Sequence, residues 1–149
     1  MNFEIINQWH THNNHTQVIV DSLPNQVIHV LRNFKCCIAG GYIRSFYDGT
    51  LGKYSFFVKD SSTRKEDMGR KFSKLMSSGT DIDIFAESKG EAENIIKYLK
   101  SELKLWSYEN GKKSSGTSHN STYADFNINN LLVKIQIVYR WDTQMLNQL

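Results

Sequence analysis

The feature that most constrains this chain is the hexapeptide Thr80–Phe85 (TDIDIF), which alternates polar and apolar side chains without a break. Strict alternation is the signature of a half-buried strand. Residues i and i+2 of a strand share a face, so Asp81 and Asp83 point together while Ile82 and Ile84 face the core. Two carboxylates held side by side repel unless a cation sits between them. Oxygen ligands at that spacing suit Mg²⁺ or Mn²⁺, which keep waters and complete their shells with substrate phosphates.

A second segment adds to this one. Phe34–Ala39 is a short apolar run of strand formers that stops at Gly40-Gly41, and Tyr42–Tyr47 continues with helical character. Glycines at a strand-to-helix turn let backbone N–H groups approach a phosphate. Arg44, one turn on, adds a guanidinium beside the same place. A phosphate cradle on one strand end and paired carboxylates on a later strand meet the needs of phosphoryl transfer from a nucleotide.

The rest of the chain reads as one α+β domain, a small mixed sheet of four or five strands with flanking helices. Its 149 residues suit a single domain, and 40% hydrophobic content marks a folded one. Gln17–Val20 reads as a short strand. Asp21 or Ser22 reads as the cap of a helix over 24–33, with Pro24 in its first turn. Ala92, Ile95, Ile96 and Leu99 predict a helix over 90–103. Leu105–Tyr108 reads as a strand, and Asn110–Asn120 as a Gly/Ser/Lys-rich loop. Tyr123–Ile128 and Leu131–Tyr139 form a hairpin around Asn129-Asn130, and Trp141–Leu149 closes the chain as a helix.

Residues 50–79 are long, polar and charged, an inserted basic loop with a helix at Lys65–Met76. Between Lys59 and Lys74 stand six Lys/Arg and three acids, so this segment alone carries +3, equal to the whole chain. Arg64, Lys65, Arg70, Lys71 and Lys74 are its candidates for nucleic-acid contacts. His10, His12 and His15 lie close together in a polar loop with no second shell in view. The adjacent Cys36 and Cys37 point to opposite faces of a strand and do not pair. No apolar run is long enough to span a bilayer, and the N-terminus lacks the features of a signal peptide, so the expected compartment is a cytoplasm, bacterial or of a host cell.

Cys36–Arg44 (CCIAGGYIR) followed by Gly79–Phe85 (GTDIDIF) resembles the DNA polymerase β-type nucleotidyltransferase superfamily. The similarity is to the branch of tRNA CCA-adding enzymes, poly(A) polymerase-like proteins and small phage or bacterial relatives. It spans roughly residues 34–140, with Leu132–Arg140 (LVKIQIVYR) similar to a downstream strand of the small relatives. The resemblance implies metal-dependent transfer of a nucleoside monophosphate from an NTP to a hydroxyl, first of all at an RNA 3′ end such as that of tRNA, or on a protein. It implies that Asp81 and Asp83 hold Mg²⁺ or Mn²⁺ and that Gly40, Gly41 and Arg44 take the phosphates. The middle of the late strand is Gln136, so Asp125 on its partner strand is the candidate third carboxylate. A second reading is a catalytically weak or inactive relative that binds nucleotide, RNA or a protein partner, as a viral antagonist or regulatory subunit.

Overall fold

The computed structural model describes residues 19–45 and 65–140. Its elements run α1 (Asn25–Asn33), β1 (Cys36–Ala39), α2 (Gly41–Arg44), α3 (Lys65–Ser77), β2 (Ile82–Ala86), α4 (Lys89–Glu102), β3 (Lys104–Leu105), β4 (Ser115–Thr117), β5 (Ser121–Ile128) and β6 (Leu131–Val138). The fold is α+β. Among the described residues the sheet has six strands, one more than the upper expectation. The order is β1-β2-β6-β5-β3, with β4 also on β5. The β2–β6 pair is parallel and the other pairs antiparallel.

One sheet face is the core. Ile82 and Ile84, Val133, Ile135 and Ile137, and Ala124 and Phe126 are all buried there. Against them pack Val27 and Val30 of α1 and Ala92, Ile95 and Leu99 of α4. Full burial of a Val, Leu or Ile side chain contributes about 1.5–3 kcal/mol, so these positions dominate stability. The opposite face carries the alternate residues. Cys37, Phe85 and Val138 make a small separate apolar cluster there, with Ala39 against it.

Local signals explain most element ends. The Ser88 hydroxyl accepts from the Glu91 N–H at 3.1 Å and caps α4. Glu91 in turn accepts from the Lys35 N–H at 3.3 Å, tying that helix start to the entry of β1. Asn129 and Asn130 adopt φ of 53° and 63°, the two left-handed residues that a two-residue hairpin turn requires. Cys36 and Cys37 form no disulfide and lie on opposite sheet faces, and burial pushes their thiols up to about 12 and about 11.

Four expectations need correcting. Residues 19–22 are helical, so the expected strand does not include Ile19 and Val20; Gln17 lies outside the described residues. Ser22 is not a cap: buried, it bonds the Ile19 carbonyl and the Tyr42 hydroxyl, each at 2.6 Å, and Pro24 occupies the position before α1 instead. Asn110–Asn120 is not all loop, because Ser115–Thr117 pairs with Thr122–Ala124 as β4. The strand expected at Leu105–Tyr108 is reduced to Lys104–Leu105, β3. The helix expected at Lys65–Met76 is α3, which inserts Phe72, Leu75 and Met76 into the main core. His10, His12, His15, the expected terminal helix 141–149 and residues 46–64 lie outside the described residues.

Candidate functional site

The polar side chains of the sheet's second face fall into two rows. Register aligns Ala39 of β1 with Asp83 of β2, Gln136 of β6, Tyr123 of β5 and Gly116 of β4. The parallel pairing of Ile82 with Ile135 places Asp81, one residue earlier, beside Lys134, which pairs with Asp125. The residues that alternation puts on one side are therefore gathered from three strands. Asp81 precedes β2 and is half-buried, as is Asp83.

The Gly40 turn meets this face directly. Gly40 has φ 82° and ψ −153°, a backbone that only glycine adopts readily. A Cβ built there would lie 2.6 Å from Asp83 Oδ2, so the carboxylate sits against the glycine's bare Cα. Gly41 opens α2, and a Cβ on it would lie 4.0 Å from Thr80 Cγ2, beside the entry to β2. The first N–H groups of a helical turn have no partner within the helix. Because α2 is only four residues long, these N–H groups, rather than an extended helix dipole, are what the turn offers a phosphate.

Electrostatics bind the group together. The Asp83 carboxyl is raised above its ordinary value by burial and then by Asp81, against the pull of Lys134 and Arg44. Asp81 is raised by burial, lowered by Lys134 and raised by Asp125. Two half-buried carboxylates that resist ionisation are a site short of positive charge. That is the condition a divalent cation relieves, with Asp81 and Asp83 supplying two oxygen ligands and phosphate or water the others. Among the described residues no three His, Cys, Asp or Glu side chains gather into one metal-binding group.

Asp125 faces the same region from β5. It is only 7% exposed, and its Oδ2 accepts from the Tyr108 hydroxyl. Burial, followed by that bond, pushes the Tyr108 hydroxyl up to about 12, so it stays a donor. Lys134 is held with its ammonium 4.7 Å from the centre of the Tyr123 ring, a cation–π contact. That ring lies against Gly116, where a Cβ would be 2.8 Å from Tyr123 Cε1. Gln136 donates to Ser121 Oγ at 3.0 Å. Neither Lys134 nor Tyr108 was a sequence candidate. The alternation of β6 carries the signal for Lys134, which shares Gln136's parity; nothing local marks Tyr108.

None of the basic candidates among the described residues lies on a strand of the sheet. Lys65, Arg70, Lys71 and Lys74 belong to α3, with Lys74 exposed near its end and Lys71 half-buried; Arg64 lies outside the described residues. No helix among the described residues is long and apolar enough to cross a membrane. No family model, curated protein or solved structure matches this chain.

Proposed function

We propose that this chain is a metal-dependent nucleotidyltransferase that moves a nucleoside monophosphate from an NTP to a hydroxyl. The observation that carries the reading is the contact of the Asp83 carboxylate with the bare Cα of Gly40, with Asp81 one pleat away. A phosphate laid on the Gly40-Gly41 turn would stand beside both carboxylates, the juxtaposition that nucleotide transfer requires. Mg²⁺ or Mn²⁺, when bound, supplies Lewis-acid stabilisation of the phosphates.

The chain's own residues divide the remaining work. Asp81 and Asp83 are the ligands, and the N–H groups of the turn bind phosphate oxygens. Arg44, whose charge already reaches Asp83, adds a guanidinium on the phosphate side. Asp125 orients the attacking hydroxyl and takes its proton on the oxygen that Tyr108 leaves free. The acceptor oxygen bonds to the α-phosphorus, the bond to the bridging oxygen breaks, and pyrophosphate departs with the electron pair.

A second reading has its own support. Gln136 stands beside Asp83, and Lys134 answers part of the carboxylate charge from within the protein. A fold arranged this way suits a protein that binds nucleotide or a macromolecular partner without turnover. Transfer of label from each of the four α-³²P NTPs into total tRNA and total cell protein, with Mg²⁺ or Mn²⁺, separates the two. Label that depends on Asp81 and Asp83, tested by Asp81→Ala/Asp83→Ala, is expected of the enzyme. No label from folded protein that binds NTP would overturn it in favour of the binder.

A further inference from the structure

The loop between β3 and β4 hangs on Asp125. At one end the Trp106 N–H donates to the Asp125 carbonyl, and at the other the Asp125 N–H donates to the Ser114 carbonyl, both at 2.7 Å. Between them the Tyr108 hydroxyl reaches the Asp125 carboxylate. The tip of the loop, residues 109–113, is exposed throughout.

That tip holds Asn110-Gly111, the chain's single Asn-Gly pair. The Lys112 N–H donates to Asn110 Oδ1 at 3.3 Å, so the side chain folds back across the intervening Gly111 peptide. The ring that this bond closes contains both the Gly111 nitrogen and Asn110 Cγ. Gly111 has φ 76°, and a Cβ on it would meet nothing within 4 Å, so the space beside its nitrogen is open. A nucleophile and an electrophile confined together in this way react as one unit. The asparagines of the β5–β6 turn are placed otherwise. Asn127 precedes the buried, β-branched Ile128, and Asn129 and Asn130 precede residues whose own side chains crowd the attacking nitrogen.

We infer that Asn110 is a self-modification site, converting to aspartate and isoaspartate through a cyclic imide, and that Asp125 feels the change. The inference is independent of the nucleotidyl-transfer reading. Hydroxide takes the Gly111 N–H proton, and the nitrogen attacks Asn110 Cγ. The negative charge that develops on Oδ1 meets the Lys112 N–H, a donor already in place. The Cγ–Nδ2 bond then breaks, and ammonia leaves with a proton from water. Water opens the imide by breaking a C–N bond at either carbonyl. Opening at the former backbone carbonyl leaves an isoaspartyl link, with an extra main-chain atom; opening at Cγ leaves ordinary aspartate. Either way a neutral amide becomes a carboxylate beside Lys112 and Lys113, in a loop bonded to both the backbone and the side chain of Asp125.

The test is to age the protein in warm, mildly alkaline buffer and follow it by peptide mapping, with an isoaspartyl methyltransferase assay for the link. Asn110 is expected to convert first, faster as pH rises, while Asn127, Asn129 and Asn130 stay intact. Lys112→Pro removes the N–H donor and should slow conversion about tenfold, the worth of one hydrogen bond in the transition state. Lys112→Ala keeps that N–H and loses only an exposed charge, so its rate should stay within about threefold of wild type. Asn110→Gln, which would need a larger ring, should abolish the change. In the purified isoaspartyl form the backbone-amide resonances of Tyr108 and Asp125 should shift. The inference is overturned if another described asparagine converts before Asn110, if Lys112→Pro ages as fast as wild type, or if those two amides do not move.

Discussion

Gly40→Ala isolates the contact on which the candidate site depends. Two costs arise. At φ 82° and ψ −153° an alanine sits in a region that is essentially reserved for glycine, which costs of order 1–3 kcal/mol. The new methyl would also lie 2.6 Å from Asp83 Oδ2 and 3.4 Å from its Cβ and Cγ. Because the nearest atom is the end of a side chain, rotation of the carboxylate relieves part of that overlap and holds its cost near 1 kcal/mol, the low end for overpacking. The sum is roughly 2–4 kcal/mol out of a total of about 5–15. At this chain length that corresponds to a fall in Tm of roughly 6–12 °C. Urea denaturation with unchanged m-values would measure it. In an Asp83→Ala background the overlap disappears and the backbone strain remains, so the same substitution should cost about 1 kcal/mol less. An equal penalty in both backgrounds would refute the close approach of glycine and carboxylate. A Tm within a degree of wild type would refute the backbone conformation itself.

Three further predictions test the neighbouring groups. Asp83→Asn should raise the Tm of metal-free protein while abolishing any stabilisation by Mn²⁺, because burial and Asp81 disfavour the charge it removes; a fall in metal-free Tm contradicts this. Asp81 and Asp83 hold their protons more tightly folded than unfolded, so their contribution to metal-free stability should be greatest below the ordinary value of 3.8 and decline as pH rises through it toward the raised folded values. That slope should vanish in Asp81→Asn/Asp83→Asn, as followed by urea midpoints against pH. Tyr108→Phe strips the buried Asp125 of its hydroxyl donor and should cost roughly 1–3 kcal/mol by the same denaturation assay, whereas a loss below a few tenths would mean that water replaces the donor freely.

The parts of the fold with short-range causes were legible in the sequence. The alternation at Thr80–Phe85 put Asp81 and Asp83 on the face opposite Ile82 and Ile84, and the buried isoleucines bear it out. The Asn129-Asn130 turn and the helix ending near residue 33 are equally local. What failed depended on distant partners. Ser22 has the composition of a helix cap, but Tyr42 claims its hydroxyl across the core. Ser115–Thr117 has almost no strand character; it pairs because Gly116 leaves room for the Tyr123 ring. Lys134 and Tyr108 reach Asp125 only through strand register and tertiary packing, which composition does not encode.

The parallel pairing of β2 with β6 has a consequence for folding order. The β5–β6 hairpin closes through a two-residue turn, while β2 must find β6 across a helix and three intervening strands. Local contacts form quickly and long closures late. A chain with its hairpin made and β2 undocked would keep Asp125 and Lys134 together but hold Asp81 and Asp83 elsewhere. The carboxylate pair thus meets its neighbours only in one of the last steps of assembly. Ligand affinity for this face would then report complete folding, and a partly folded chain would be silent to it.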